Sequence, residues 1–408
     1  MQVGNLNKEV VVTGIGVVTP LDNGKGVGSF WDGACRGVNT VRPITRFDVK
    51  GHQCGVGAEI EGLMDLHDGI SKNDTDPSFR IMSLACKYAV DDALLEGDSL
   101  ENAGVAVGTI LGGITSAERY WGARFFSMEE RRDDFFREYC LDSVANHVVK
   151  RFSLRGPSFS LSTACCSGAD AIRTAATQIS NGRISVMLAG GVDVLSEFVF
   201  RGFSALNAMT TDGLVKPFDK NRRGLALGEG AGVLVLEDRF HAESRKARIY
   251  CSLIGAGTSS DASHIVKPNR DGEGLARAIS QALMNAKVQG ELIDFVCAHG
   301  TGTSYNDTME TKAIKRGLGQ MAKKIKVTSM KSMIGHTLGA AAAIEAVTCV
   351  KAMETGTIPP TINYQLPDQE CDLDYVVNKQ YKHSIDVCMS LSAGFGGQNT
   401  ALIFKRHK

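Results

Sequence analysis

One order of motifs runs through residues 9–238 and runs again through residues 249–405. The first copy opens on EVVVTGIGVVTPL (9–21), β-branched and apolar, which reads as a buried strand broken by Gly-x-Gly and entering a turn. Its counterpart is IYCSLIGAGTSSD (249–261). Helical spacing of apolar residues follows in DPSFRIMSLACKYAVDDALLEG (76–97) and in DGEGLARAISQALMNAKV (271–288). A strand with a glycine-rich end comes next, AGVAVGTILGG (103–113) and then LIDFVCAHGTGT (292–303). Strand, sharp turn and small-residue helix follow in FSLSTACCSGADAIRTAATQIS (159–180) and in KVTSMKSMIGHTLGAAAAIEAVTCVKAMETG (326–356). Each copy closes on strands around glycines: ISVMLAGGVDV (184–194) with GLALGEGAGVLVLED (224–238), and DVCMSLSAGFGGQNTALIFK (386–405). A repeat this long exceeds solenoid periods and predicts two similar αβ halves, residues 1–248 and 249–408. Alternating strands and helices predict an α/β protein with parallel or mixed sheets covered by helices. Halves packed face to face would bury the alanine- and glycine-dense stretches 164–176 and 338–343 between their sheets.

The balance of charge narrows the function. Lys plus Arg and Asp plus Glu number 45 each, which argues against a nucleic-acid binder. The best apolar run, LGAAAAIEAVTCV (338–350), is too short to cross a bilayer and contains Glu345. The N-terminal residues lack the basic start and apolar stretch of a secretory signal, so a cytoplasmic protein is expected. The 11 cysteines show no CxxC pair and read as reduced, mostly buried thiols.

Chemistry is concentrated at equivalent turns of the two copies. The strand-to-helix turn of the first carries Cys165 and Cys166; that of the second carries Lys331 and His336; the strand before it ends at His299. Ligands collect where parallel strands end, so a pseudo-twofold would bring these residues together. A helix N-terminus lowers a thiol's pKa, and its free N–H groups can hold an oxyanion. A thiolate there points to a covalent thioester intermediate.

The motifs VVVTGIGVVTP, LRGPSFSLSTACCSGADAI, MLAGGVDV, KPFDKNRRGLALGEGAGVLVLE, AHGTGTSYND, SMKSMIGHTLGAAAAIEA, IPPTINY and AGFGGQNTALIF carry a resemblance that spans nearly the whole chain. The sequence resembles the β-ketoacyl-[acyl carrier protein] synthases of the thiolase superfamily, nearest to the elongating type II enzymes. The resemblance implies a duplicated five-layer αβαβα fold and a decarboxylative Claisen condensation. It implies Cys165 as nucleophile, with Cys166 as a small space-filler. It implies His299 and His336 as ligands of the thioester carbonyl that assist malonyl decarboxylation, and Lys331 as the residue holding the charge pattern, with Glu345 as its partner. Thr301 and Thr303 would bind phosphopantetheine. Phe395 would be the gate, its N–H forming the oxyanion hole with that of Cys165. Leu111, Phe203 and Ala393 would line the acyl pocket. No metal or organic cofactor is implied, the substrates riding on the phosphopantetheine of an acyl carrier protein. The partners implied are that carrier protein and a second subunit across SFSLSTA, either a second copy or a chain-length-factor relative.

The sequence also departs from that pattern. Ala393 stands where a second phenylalanine precedes the gate, which should widen the channel. SKNDTDPSFR (71–80) replaces a Lys- and Arg-rich stretch; Lys72 and Arg80 remain while Asp74 and Asp76 intrude. Asn207 stands where a basic residue is common. Basic patches steer acidic carriers, so docking should differ here, with EERRDDFFRE (129–138) and KKIK (323–326) as other basic candidates. These departures point to a specialised pathway of the polyketide or aryl-polyene kind. The competing readings are a coenzyme A-dependent thiolase, disfavoured by KSMIGH and AHGTGT, and a non-catalytic chain-length-factor subunit, disfavoured by Cys165.

Overall fold

The computed structural model describes residues 8–66, 76–126 and 133–407. Eleven strands form its main sheet: β1 (Val10–Val18), β2 (Gly104–Gly108), β3 (Ser158–Leu161), β4 (Val186–Asp193), β5 (Gly230–Asp238), β6 (Cys251–Ser260), β7 (Phe295–Cys297), β8 (Lys326–Thr328), β9 (Asp374–Tyr375), β10 (Val387–Gly394) and β11 (Gln398–Arg406). The helices that matter here are α1 (Pro77–Asp92), α2 (Ser167–Ser180), α3 (Glu273–Ala286), α4 (Ser304–Leu318) and α5 (Ala341–Thr355).

The strand order is β9-β8-β7-β10-β11-β6-β1-β5-β4-β2-β3. Read outward from the β6–β1 junction, both sides follow one plan. β1 and β6 each pair antiparallel with the last strand of their half, and that strand with the one before it. Beyond these lie parallel pairs: β4 with β2 and β2 with β3, then β10 with β7 and β7 with β8. The two halves meet edge to edge through two residue pairs, Val11↔Ser252 and Val12↔Cys251. This junction was not foreseen from the sequence, because cross-strand pairing leaves no local signal.

The layers are as the repeat implies. α1 lies against β1 on one outer face and α3 against β6 on the other. α5 touches both β5 and β10, and α2 packs beside it, so these two helices form the middle layer of five. α5 is buried almost throughout, Glu345 included. α1 begins where expected: Asp76 is its N-cap, accepting from the Ser78 N–H at 2.9 Å, with Pro77 in the first turn.

Two expectations change. The Gly-x-Gly of the first strand does not break it; β1 runs through Gly14 and Gly16. A Cβ on Gly16 would stand 1.9 Å from the Ala85 carbonyl oxygen of α1, so these glycines let helix and strand approach. Helix α4, not anticipated, follows the AHGTGT loop. Its charged sequence SYNDTMETKAIKRGL hides the apolar stripe, and its buried face includes the polar Asn306, Asp307, Glu310 and Thr311.

Four glycines meet in the middle layer. A Cβ on Gly108 at the end of β2 would lie 2.2 Å from the Ser167 carbonyl carbon; one on Gly191 of β4 would lie 2.5 Å from the Gly339 carbonyl oxygen and 3.0 Å from the Gly168 Cα. Gly108→Ala is therefore expected to push the start of α2 off the sheet and cost roughly 1–3 kcal/mol. Gly28→Ala, on an open helix face with nothing within 4 Å, should be neutral or slightly stabilising. Urea midpoints of the two variants check this; equal midpoints would show that the contact carries no load.

Candidate active site

After β3 the chain turns through Thr163–Cys166 into α2. Ala164 takes a left-handed φ of 51°, a conformation that costs a non-glycine residue about 1 kcal/mol or more. The turn is held by the Thr163 N–H to Ser167 Oγ at 2.9 Å, Thr163 Oγ1 to Asp170 Oδ2 at 2.7 Å, and the Ser167 N–H to the Ala164 carbonyl at 3.0 Å. It faces Cys165 into a cavity and sends Cys166 the other way, fully buried, with Sγ 3.4 Å from the Gln398 carbonyl. The neighbouring thiols therefore occupy different environments, and only Cys165 lines the cavity.

His299 leaves the end of β7, and His336 follows the turn after β8, so equivalent edges of the two halves supply them. Their rings stand edge to face at 5.3 Å. Cys165 Sγ and one nitrogen of each ring lie within 4.8 Å of one another. Lys331 Nζ stands 3.3 Å from His299 Nδ1, and the Leu338 N–H donates to His336 Nδ1 at 3.0 Å. Each Nδ1 therefore accepts, which leaves the hydrogen on Nε2. Burial and the Lys331 charge push both imidazoles well below the usual histidine range, so they are neutral. The site holds two neutral Nε2–H donors. Such a nitrogen cannot take a proton, but it can stabilise negative charge on sulfur or oxygen. The same lock disfavours a metal: ligation through Nε2 would force each Nδ1 to carry hydrogen toward another donor.

Lys331 donates to Glu345 Oε1, both side chains 2% exposed. Burial pushes the Glu345 carboxyl up to about 7 against the pull of Lys331. Burial also pushes the Cys165 thiol up to about 12, opposed by Lys331 and by the Phe395 N–H at its sulfur. The expected lowering by the helix N-terminus thus meets a larger opposing effect, since Cys165 sits before the N-cap, Cys166, in a buried site.

Carboxylates that the motifs did not flag hold the loops. Glu310 accepts the N–H groups of His299 and Gly300 at 2.6 and 2.8 Å. Asp307 accepts those of Thr301, Gly302 and Phe218 at 3.1, 3.2 and 2.8 Å. Asp193 accepts from Ile110, Leu111 and Gly339, tying the two halves together. The only sequence signal was an Asp and a Glu three apart after a threonine cap, and an Asp ending a glycine-rich strand. Phe395 stacks on Phe203 at 5.5 Å. Its glycine loop is tied to 261–270 by the Gly396 N–H to the Ile265 carbonyl and the Asp261 N–H to the Gly397 carbonyl.

A cavity of about 500 Å³ joins these parts. Cys165, His299, His336, Thr301, Thr303, Phe203, Ala393 and Phe395 all line it. A thiol beside two neutral donors suits acyl transfer. The description of the beta-ketoacyl synthase N-terminal domain matches residues 7–242, and that of the C-terminal domain matches residues 250–365. The chain belongs to the beta-ketoacyl synthase family. A 3-oxoacyl-[acyl-carrier-protein] synthase 2 of Coxiella burnetii is 38% identical over 98% of this chain and 99% of its own length. The solved ishigamide ketosynthase/chain length factor superposes with a TM-score of 0.90 at 33% identity, covering 98% of this chain and 100% of that one. A type II polyketide-synthase acyl-carrier protein in complex with its ketosynthase bound to the hexaketide gives 0.88 at 29%, with the same coverage.

The remaining sequence candidates fall variously in this synthase. Thr303 caps α4 and shares a hydrogen bond of 2.9 Å with Thr301, so turn geometry explains part of both. Leu111 does not line the cavity; it is buried in the N-terminal core, its N–H on Asp193. Asp76 does not intrude on a docking surface, being a fully buried cap that also accepts from the Ser116 N–H. Arg80 is buried as well, donating to the Met64 carbonyl. Lys72, Asp74 and residues 129–132 lie outside the described residues. In KKIK, Lys323 and Lys326 are paired with Asp372 and Asp374.

Burial raises Asp193 to about 6, Glu345 to about 7 and Glu310 to about 8. Each binds its proton more tightly folded than unfolded. Their contribution to stability is complete below the unfolded carboxyl range, about 4, and is lost as pH rises through 6 to 8. The urea midpoint should therefore decline as pH rises from about 5.5 to about 9. Glu345→Gln should shrink the fall, and an undiminished fall would remove Glu345 from the account.

Proposed function

We propose that the chain is a β-ketoacyl-[acyl carrier protein] synthase that condenses malonyl carrier protein with an acyl chain held on Cys165. The observation that carries this is the meeting of Cys165 Sγ with two neutral imidazole donors inside 4.8 Å. The match to a 3-oxoacyl-[acyl-carrier-protein] synthase over nearly the full length supports it.

In the first step Cys165 Sγ attacks the carrier thioester. The Sγ–C bond forms, the C–S bond to pantetheine breaks, and the thiol proton ends on the departing pantetheine sulfur. The N–H groups of Phe395 and Cys165 hold the oxyanion between. In the second step malonyl thioester loses CO₂, and the negative charge moves to its carbonyl oxygen. His299 and His336 donate Nε2–H to that oxygen, an interaction that strengthens as charge develops. The enolate carbon then attacks the acyl carbonyl, its bond to Sγ breaks, and the Cys165 thiolate takes one proton from water, which the loss of CO₂ from a carboxylate leaves to be supplied. Lys331, fixed by Glu345, keeps the His299 hydrogen on Nε2 and so acts through that ring.

Thr301 and Thr303 bind the amides of the pantetheine arm. Phe203 and Ala393, which line the cavity, border the acyl chain. The substrates arrive on phosphopantetheine, with no further cofactor. The two halves, 1–248 and 249–408, each supply one side of the site, a division that the repeated strand order supports. Among the described residues β3 is an edge strand of the main sheet, beside Cys165, which supports pairing with a second copy or a chain-length-factor relative. Among the described residues no helix is long and apolar enough to cross a membrane, in keeping with a cytoplasmic enzyme. The departures at Ala393 and Asn207 favour a polyketide or aryl-polyene type of pathway over general fatty-acid elongation. A purely structural subunit is disfavoured because Cys165 and both histidines are present.

Peptide mapping after incubation with acyl carrier protein should place the acyl mass on Cys165 and leave Cys166 free. Cys165→Ala should abolish it. His299→Ala and His336→Ala should keep acyl transfer but slow condensation about 10²–10³-fold each. Acyl mass on Cys166 would overturn the assignment.

A further inference from the structure

Cations that the chemistry at Cys165 does not use surround the cavity mouth. Arg223, Lys267 and the half-exposed Tyr305 line it. Lys267 Nζ lies 5.5 Å from the Tyr305 ring centroid, and Arg270 Cζ lies 5.7 Å from the same centroid. All three basic side chains are exposed. Among the described residues none of them has a carboxylate partner, whereas the buried Arg222 beneath is matched by Asp307 and Asp368. The nearby Asp261 is spoken for, accepting from the Asn269 N–H and from Asn399 Nδ2, each at 2.8 Å. Drawing two cations to one ring gains modest cation–π attraction but sets like charges side by side. An anion between them would relieve that repulsion.

The cavity grades from inside to outside. Cys165, His299 and His336 are buried; Thr301, Thr303 and Asn306 lie along the wall; Arg223, Lys267 and Tyr305 stand in solvent. That sequence of thiol, hydroxyls and amide, then cations, matches a thioester, a chain of amides, then a phosphate. We propose that Lys267 and Arg270, which flank Tyr305, together with Arg223 of the cavity lining, bind the phosphate of a phosphopantetheine thioester while its carbonyl stands at Cys165. This rests on the function proposed above and names which groups read the arm. It also relocates the basic character absent from Asn207 and unavailable at the buried Arg80 onto the 261–270 loop. The phosphate arrives either on a carrier protein or on free phosphopantetheine.

The test compares the rates at which Cys165 is acylated by acyl-phosphopantetheine, by the same acyl-pantetheine without phosphate, and by the acyl carrier protein. The wild type should favour the phosphorylated small donor about tenfold or more, as a charge-assisted hydrogen bond predicts. In the Arg223→Ala/Lys267→Ala/Arg270→Ala variant that ratio should fall toward one, and Lys267→Glu should lower it alone. Because each ratio is internal to one protein, a general loss of activity does not mimic the result. A ratio that the variants leave intact overturns the proposal. So does a defect seen with carrier protein and not with free phosphopantetheine, which would make these residues readers of the carrier surface. If no donor acylates wild-type Cys165, the proposed function fails and this assignment with it; acylation without phosphate preference sinks this assignment alone.

Discussion

Everything at the site depends on backbone contact in the middle layer. Gly108, Gly168, Gly191 and Gly339 come from four separate segments and leave no room for a Cβ where they meet. That contact lets the start of α2 settle on the ends of β2 and β4, and lets the turn before α5 settle on both. Asp193 fastens the same point, accepting the Gly339 N–H at 2.6 Å from across the halves. Cys165 belongs to one side of this contact and His336 to the other. A side chain between them would part the Cys165 thiol from the His336 ring by the thickness of a methyl group, enough to undo the preorganised distances that the proposed chemistry needs.

Above that contact, electrostatics sets the protonation states. Lys331 is buried between Glu345 and His299. A buried ammonium needs its carboxylate, since an unpaired ion there would cost several kcal/mol. Having it, Lys331 can present a hydrogen to His299 Nδ1 and fix the tautomer. His336 reaches the same state by another route, through a backbone N–H. Two unrelated devices thus produce one outcome, a pair of neutral donors facing a buried thiol. The mouth of the cavity has the opposite character, cationic and exposed, so the field along it changes from neutral to positive toward solvent.

Much of this was legible beforehand. The duplicated order of strands and helices, the turn holding Cys165, and the candidate set His299, His336, Lys331 and Glu345 all came from local patterns. One acid in an apolar helix signals that Glu345 must have a partner; that the partner is Lys331 came from the family resemblance. What escaped was positioning. Asp307 and Glu310 lie in a stretch where no helix was expected, and their work is done on backbone N–H groups brought near by α4. Asp76 looked like surface acidity and is a buried cap. Leu111 looked like a pocket residue and lies in the core behind Asp193.

The sequence alone determined the class of fold, its duplication and the residues that meet at the candidate site, because periodicity, glycine turns and a thiol at a helix start are local properties. Tertiary structure decided which of two adjacent cysteines faces the cavity, which nitrogen of each histidine carries hydrogen, and which surface cations stand without partners. Those depend on contacts between residues far apart in the chain, and no local pattern encodes what a side chain meets once the two halves have closed on each other.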